Sequence, residues 1–570
     1  MRLWDRLPAI IVLLVAGILL VGTSKENSIT SDEPYHTVRG LAFWEVGDTR
    51  LSYVHPPLIN MLAALPGAIV YDSSDLATLQ SWRASGRVED VAADYYTARF
   101  RRARAQTLAA RQVVALLTLA LLAYVYHLGV TRFGRWTGLV ALVLLAFNPT
   151  LLAHGSLNTT DLAAALFFTL LAGESFHYLT TSGRAPLWRF AVTVSAAFIV
   201  KYNLIPFSLL VCLLAAIVAV IGRGRFAGLP RRKRMLRAAA ELGAVLVMSS
   251  VCINAAYRFQ GTFWTVERVL AEQELGARGE GKALLAKSPL AKLPKTWIVP
   301  LPYTYLYGLS FVADHNARGH DQWFRGKRNR LGVPEYFPTL VLLKTPLTVW
   351  LLLLSGGAAA FVLRSRPSTF AIYIGSLLAV YGLLLLSARL NLGVRHALPI
   401  VPLLSLLAGR SGELVIDALT RRSAVGRGFG PSVVTGIALA TLPAPLVNYP
   451  DMLGYFNVLV GREEGHRISM VGEDLGQNIG DLAQLVKKDE LLPLYYEPYL
   501  VVSARELERL GVRFRRIGCE SRIHPENGTA YAALHGTLLV RRPACYPWLA
   551  HARLREVVRD HILVYEIAPR

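Results

Sequence analysis

Apolar residues run along this chain in stretches too long for soluble secondary structure, separated by polar segments of very unequal length. A helix rises about 1.5 Å per residue, so roughly 20 apolar residues cross a hydrocarbon layer of about 30 Å. On that criterion the pattern predicts eleven membrane-spanning helices, over residues 7–23, 107–129, 136–152, 160–179, 188–202, 204–222, 238–257, 339–363, 369–386, 397–409 and 430–447. No small-residue cleavage site follows the first run, Leu7 to Gly22, which is expected to stay as an anchor. Three polar segments are long: residues 24–106, 258–338 and 448–570. The first two carry aromatic, Pro and Gly punctuation around short amphipathic stretches, which predicts helices lying in the membrane interface. The third alternates a helix-like stretch, Asp474 to Lys488, with short apolar β-type runs at Tyr499 to Val502 and Ala533 to Val540. It therefore reads as a small α/β domain. The expected fold class is mainly α, a polytopic transmembrane helical bundle over residues 1–450 followed by an extracytoplasmic α/β domain over 451–570.

Composition agrees, with 53% hydrophobic residues in 570 and a mean hydropathy of +0.38. A net charge of +22 would suggest nucleic acid on a soluble chain. Here much of the excess falls in short loops, where Lys and Arg are retained on the cytoplasmic side and meet anionic headgroups, so no nucleic-acid partner is expected. Arg132 and Arg135, Arg184 and Arg189, Arg364 and Arg366, and the basic run from Arg223 to Arg237 place the N-terminus inside and the three long segments outside. One set departs from that bias. Arg99, Arg101, Arg102, Arg104 and Arg111 lead into the second span from the outer side, where either a bound anion such as a lipid phosphate or ordinary interfacial solvation accounts for them. Cys212 and Cys252 lie in apolar spans and read as small buried hydrophobes. Cys519 and Cys545 share the outer tail without metal-type spacing, and are expected to pair as a disulfide.

The chemistry-bearing residues gather at the predicted outer ends of the spans. Ser31-Asp32-Glu33-Pro34-Tyr35-His36 sets adjacent carboxylates just beyond the first apolar run, and Tyr53-Val54-His55-Pro56-Pro57-Leu58 follows in the same segment. Asn158-Thr159-Thr160-Asp161, Lys201-Tyr202-Asn203, Lys344-Thr345-Pro346 and Asn391-Leu392-Gly393-Val394-Arg395-His396 all fall on that side. An ionisable group at membrane depth costs about 2.5 to 3.5 kcal/mol on insertion scales, so it persists where it faces a cavity or a partner. Structural roles exist for each: Asp32-Glu33-Pro34 and Asp161 suit helix N-termini, while Lys201 and Arg395 are long enough to snorkel. As a set, however, they suit sugar transfer from a polyprenyl phosphate, whose acceptor hydroxyl needs a carboxylate and whose leaving phosphate needs cations. Lys201, Arg395 and at least one of Arg102 and Arg104 are expected to hold that phosphate, with Lys344, His55, Asp161 and His396 contributing to the same cavity.

Taken in order, these segments resemble the landmarks of the GT-C glycosyltransferases, specifically the protein O-mannosyltransferase and ArnT-like branch. Asp32-Glu33 matches the acidic pair of that family's first external loop, and His55-Pro56-Pro57 resembles its HPP motif. His154 to Asp161, Tyr336-Phe337-Pro338 with Lys344-Thr345-Pro346, and Leu390 to Pro399 look like corresponding bacterial landmarks. Beyond the last span, Tyr455-Phe456-Asn457 and Glu473-Asp474-Leu475-Gly476-Gln477 resemble a YFN and then a DWGQ pattern, with Leu475 standing where the pattern has Trp. The resemblance implies an inverting hexosyl- or pentosyltransferase in which Asp32 is the general base and Glu33 orients or caps. Its implied partners are a polyprenyl-phosphate-linked sugar donor, a hydroxyl-bearing acceptor (protein, lipid or polysaccharide) and the lipid bilayer. No cofactor is required on this reading; a divalent metal held by Asp32, His55, Asp161 and His396 is the alternative. The residue bias suits a bacterial inner membrane with the active site on the periplasmic or extracellular side. The rival class is a polytopic transporter of a lipid-linked or anionic substrate, which calls for related halves and polar interruptions near the bilayer midplane; the sequence shows neither.

Overall fold

The computed structural model describes residues 3–71, 75–272, 280–422, 429–460, 468–469, 472–523, 525 and 528–569. Among them seven helices are long and apolar enough to cross a membrane: Arg6–Glu26, Phe100–Arg132, Asp161–Thr180, Tyr202–Phe226, Arg231–Ala256, Thr369–Leu386 and Gly430–Val447. Two bent pairs, Arg135–Ala146 with Pro149–Gly155 and Tyr336–Lys344 with Leu347–Leu363, bring the number to as many as nine. This is an integral membrane architecture. It has fewer qualifying spans than the eleven expected because the expected span 188–202 falls on the short helix Arg184–Val200, which ends before Lys201, and the expected span 397–409 on Ile400–Arg422, a longer helix that carries Arg410, Glu413 and Asp417.

The bends have identifiable causes, and they place polar groups. At the 67° bend the side chain of Asn148 accepts from the Leu151 amide and Pro149 occupies the first helical turn, so the helix restarts in a new direction. The 95° bend falls at Thr345-Pro346, where proline cannot continue the hydrogen-bond ladder. His154 and Lys344 consequently sit at or near broken helix ends, buried within the protein.

The described residues between 27 and 99 form a packed layer against the bundle. The helices Glu33–Leu41, Leu58–Val70, Gln80–Ala84 and Val88–Ala98 bury Val38, Leu41, Trp82, Val91, Tyr95 and Tyr96 in a common cluster, joined by Val502 from the tail. Glu33–Leu41 and Leu58–Val70 approach closely at Gly40, where a Cβ would collide with the Asn60 carbonyl. The tail holds a five-stranded mixed sheet in the order Arg515–Arg516, Leu494–Tyr496, Ala530–His535, Ile562–Ile567, Ala552–Val558. The first three strands are parallel and the last two form an antiparallel hairpin. Ile479–Lys488 and Leu500–Arg509 pack on one face of the sheet, and the bonded Cys519 and Cys545 lie with the cluster on the other.

Two tail segments differ from the sequence reading. Tyr499 to Val502 opens the helix Leu500–Arg509, which is buried on two sides, Val502 in the cluster of the 27–99 layer and Leu507 in that of the sheet, and this packing outweighs the β preference of the valines. Ala533 to Val540 begins as strand and turns helical at Gly536–Arg541.

Candidate active site at the membrane edge

The two adjacent acids are separated by the start of the Glu33–Leu41 helix, and their environments differ. Glu33 is wholly buried. Its carboxylate accepts from Arg111 Nε at 2.7 Å and Nη2 at 2.6 Å, from the Thr30 amide at 2.8 Å and from the Asn158 amide at 2.9 Å. Arg111 is equally committed, donating also to the carbonyls of Ser24, Asn27 and Ser28, which uses the full donor set of a guanidinium. Burial raises the Glu33 value, but Arg111 and the two amides more than offset it and hold the carboxyl below its usual range. Both groups fix the loop from Ser24 to Glu33; neither has capacity left for a substrate.

Asp32 is the N-cap residue of the same helix, yet its side chain makes no capping bond. It pairs instead with Arg395 Nη1, in the 3₁₀ turn Val394–Ala397, and its side chain keeps 27% of its exposure. Arg395 is anchored from behind by donating Nε to the Leu392 carbonyl at 2.9 Å. Burial raises the Asp32 carboxyl, and the Arg395 charge and hydrogen bond win, leaving it below the ordinary carboxylate range. Arg395 is pushed upward in turn: burial opposes its charge, but Asp32 and Asp161 favour it more. Asp161, at the start of Asp161–Thr180, pairs with Lys201 in the break before Tyr202–Phe226.

Histidines complete the surroundings. His36 stands four residues after Asp32 on the same helix face, and its Nδ1 meets Asn60 Oδ1 at 2.8 Å. Its ring lies 5.1 Å from that of His55, whose Nδ1 is 3.5 Å from Thr160 Oγ1. Burial and the Arg39 charge push His36 down to about 4, and burial with His36 pushes His55 well below its ordinary value. His396 falls to about 3 through burial, Lys201 and Arg395. All three rings are neutral near pH 7 and act as hydrogen-bonding groups, so the positive charge of this region comes from Arg395, Lys201 and Arg39, the last buried and donating its Nε to the Leu51 carbonyl. Among the described residues, no group of three or more His, Cys, Asp and Glu side chains is arranged to hold a metal ion.

Other sequence-identified residues are spent elsewhere. Lys344 is buried against Glu473 and donates to the Leu453 carbonyl at 2.6 Å, which ties the bundle to the tail. Arg104 donates to Glu506 of the tail at 2.9 Å, and Arg102 lines a cavity between the Phe100 end of its helix and the tail. These three do not join the Asp32–Arg395 group. Sequence reasoning named His36 within its motif without a role and missed Asn60; the four-residue spacing from Asp32 was the available signal for His36.

The tail backs the loop directly. The Ser28 amide donates to the Gln477 carbonyl at 3.0 Å and the Ser31 amide to the Leu475 carbonyl at 2.8 Å. Leu475 contributes its backbone to this pairing and buries its side chain beside Leu19, Leu20 and Met452, so the substitution of Leu for Trp leaves the contact intact. Asp474 faces His535 Nδ1 at 3.1 Å, and His535 Nε2 faces the Tyr496 hydroxyl at 3.0 Å. An ionised Asp474 only accepts, so Nδ1 carries a proton directed at it. Tyr499, its ring 5.2 Å from His535, is within electrostatic range of both Asp32 and Arg395. The Gly393 turn that carries Arg395 is held by the Tyr336 hydroxyl, which accepts from the Gly393 amide at 2.9 Å, and a Cβ on Gly472 would collide with Gly393 and the Leu392 carbonyl.

No protein-family model matches the chain, and no curated protein matches it by sequence. Solved structures align with it over most of this chain. ArnT from Cupriavidus metallidurans bound to undecaprenyl phosphate aligns over 99% of both chains at 13% identity and a TM-score of 0.47, and its apo form at 0.48. The archaeal oligosaccharyltransferase AglB from Archaeoglobus fulgidus, in complex with an inhibitory peptide and a dolichol-phosphate, aligns over 80% of this chain and 56% of its own at 12% identity and a TM-score of 0.45. At likenesses this low, neither activity nor site residues pass from those proteins to this chain.

Proposed function

We propose that the chain is an inverting membrane glycosyltransferase of GT-C type, moving a sugar from a polyprenyl-phosphate donor to a hydroxyl of an extracytoplasmic acceptor. The observation that carries this reading is the Asp32–Arg395 pair, half-open at the membrane edge and set beside Asp161–Lys201, while the adjacent Glu33–Arg111 pair is closed. The donor phosphate takes up Arg395 and Lys201. As Arg395 turns to the phosphate, Asp32 loses its closest cation and its basicity rises. The acceptor oxygen then attacks the anomeric carbon from the face opposite the phosphate; the bond between that carbon and the phosphate oxygen breaks, the hydroxyl proton passes to an Asp32 oxygen, and the negative charge left on the polyprenyl phosphate rests against the two cations. No second carboxylate has to act as nucleophile. His36, His55 and His396, being neutral, hydrogen-bond to sugar hydroxyls without competing for the phosphate. The cations Arg395 and Lys201 supply the charge that a metal would otherwise provide, so the reaction is read as metal-independent. The bilayer takes the lipid chain, and a bacterial inner membrane with this face periplasmic matches the loop charges.

The test is direct. Membranes containing the chain are supplied with a panel of radiolabelled polyprenyl-phosphate sugars, and labelled product is fractionated into protein, lipid and polysaccharide. Product from the wild type and its absence with Asp32→Asn is the expected result; no product from any donor overturns the reading.

A further inference from the structure

A buried charge without a counter-ion stands beside the Asp32 group. Among the described residues, five Lys and Arg side chains are less than a tenth exposed: Arg39, Arg111, Lys201, Arg225 and Lys344. Arg111 meets Glu33, Lys201 meets Asp161, Arg225 meets Glu241 and Lys344 meets Glu473. Arg39, 4% exposed, has no carboxylate within ion-pair distance among those residues. Its side chain makes one hydrogen bond, from Nε to the Leu51 carbonyl at 3.0 Å, which a neutral donor could equally make. Glu89 lies within electrostatic range only, and the cation close to it is Arg87, at 3.7 Å. Neither Nη of Arg39 has a partner, yet neither belongs to the enclosed unpaired atoms of the protein, so both face a space that a ligand can enter. A guanidinium withdrawn from water is costly to keep unless an anion meets it.

Position names the anion. Asp32, His36 and Arg39 recur at four and three residues along the Glu33–Leu41 helix, sharing one face, with Arg39 about 10 Å of rise beyond Asp32. Between them the His36 ring lies 5.1 Å from that of His55, and both rings feel the Arg39 charge. With the donor phosphate on Arg395 and Lys201 and the acceptor oxygen at Asp32, the transferred sugar extends along this face, its hydroxyls at the histidines and its far end at Arg39. Once Nε is held by Leu51, the two Nη groups remain as a fork that matches a carboxylate. We propose that the transferred sugar carries a carboxylate, as uronic acids do, and that Arg39 binds it. The assignment rests on the transfer reading above for the place of the phosphate.

The full chain, purified in neutral detergent, is titrated with polyprenyl-phosphate glucuronic and galacturonic acids and with the corresponding glucose and galactose donors, and retained ligand is read by native mass spectrometry. At least one uronate should bind at least about tenfold more tightly than its neutral counterpart, as a charge-assisted contact implies, and Arg39→Gln should abolish that preference. Should the variant misfold, the wild type decides with the uronate methyl ester, which lacks the charge of the acid and should bind no better than the hexose. Equal binding of uronate and hexose, a preference that survives Arg39→Gln, an equal fall for both sugars in that variant, or ester binding as tight as the acid would each overturn the proposal. Transfer of the same donors is measured separately in membranes. Product from neutral hexoses alone sinks the carboxylate and spares the transfer reading; uronate-selective binding without product from any donor does the reverse.

Discussion

Glu33–Arg111 and Asp32–Arg395 are carboxylate–guanidinium pairs built from neighbouring acids, and they differ in completeness. Every donor of Arg111 and both oxygens of Glu33 are occupied within the protein, with no exposure on either side chain. Asp32 and Arg395 hold each other with fewer supports and keep part of their surface open. Saturation, more than charge or burial, separates a frame from a site: a group with no remaining hydrogen-bonding capacity has nothing to offer a substrate.

Exchanging the two acids for their amides is the strongest way to break that contrast. Asp32→Asn should lower turnover about 100-fold to 10,000-fold, the usual loss for a general base, with expression retained and a smaller fall in melting temperature than Glu33→Gln produces. Glu33→Gln leaves the Arg111 charge buried without its counter-ion, which typically costs about 3 to 5 kcal/mol, so it should appear first as lost yield and a lowered melting temperature in detergent. Normal stability in Glu33→Gln, or normal turnover in Asp32→Asn, removes the distinction. The tail provides a stability control remote from both: opening the Cys519–Cys545 bond, which spans 26 residues, should destabilise the sheet by about 3 to 4 kcal/mol on the chain-entropy account, seen as protease sensitivity confined to the tail. Arg395→Ala should weaken donor binding or turnover at least about tenfold, as loss of a charge-assisted contact implies.

The finest test is pH. The folded Asp32 value lies below its unfolded value of about 3.9, so the pair contributes stability above that pH and loses it as pH falls through the lower, folded value. The acid limb of kcat/KM, which reports the free enzyme, should therefore lie below about pH 3.9, and Arg395→Ala should move it upward because burial then acts unopposed by that cation. An acid limb unmoved by the substitution would show that Arg395 does not tune Asp32.

Much of this was legible in the chain. Apolar run length marked the membrane architecture; loop charge assigned the segments 24–106, 258–338 and 448–570 to one side, and in the structure Val502 of the tail packs into the cluster of the first. Asp32, Asp161, Lys201 and Arg395 could be singled out because charge at a span end needs a partner; which partner each took could not. Lys344 and Arg104 looked like phosphate ligands until Glu473 and Glu506, remote in sequence, proved to meet them. The tail helix at Leu500–Arg509 was hidden because a short β-branched run satisfies both periods until its buried neighbours are known.

The grip of the tail on the acidic loop also has a meaning in time. Arg104 waits for a partner 402 residues later, and the amides of Ser28 and Ser31 wait for carbonyls that lie beyond the last span. At a synthesis rate of about 5–20 residues per second, that interval is roughly 20 to 80 s. The acidic loop reaches its final form only after the ribosome has finished both the bundle and the tail, so a nascent chain passes through its whole insertion with the Asp32 edge unassembled.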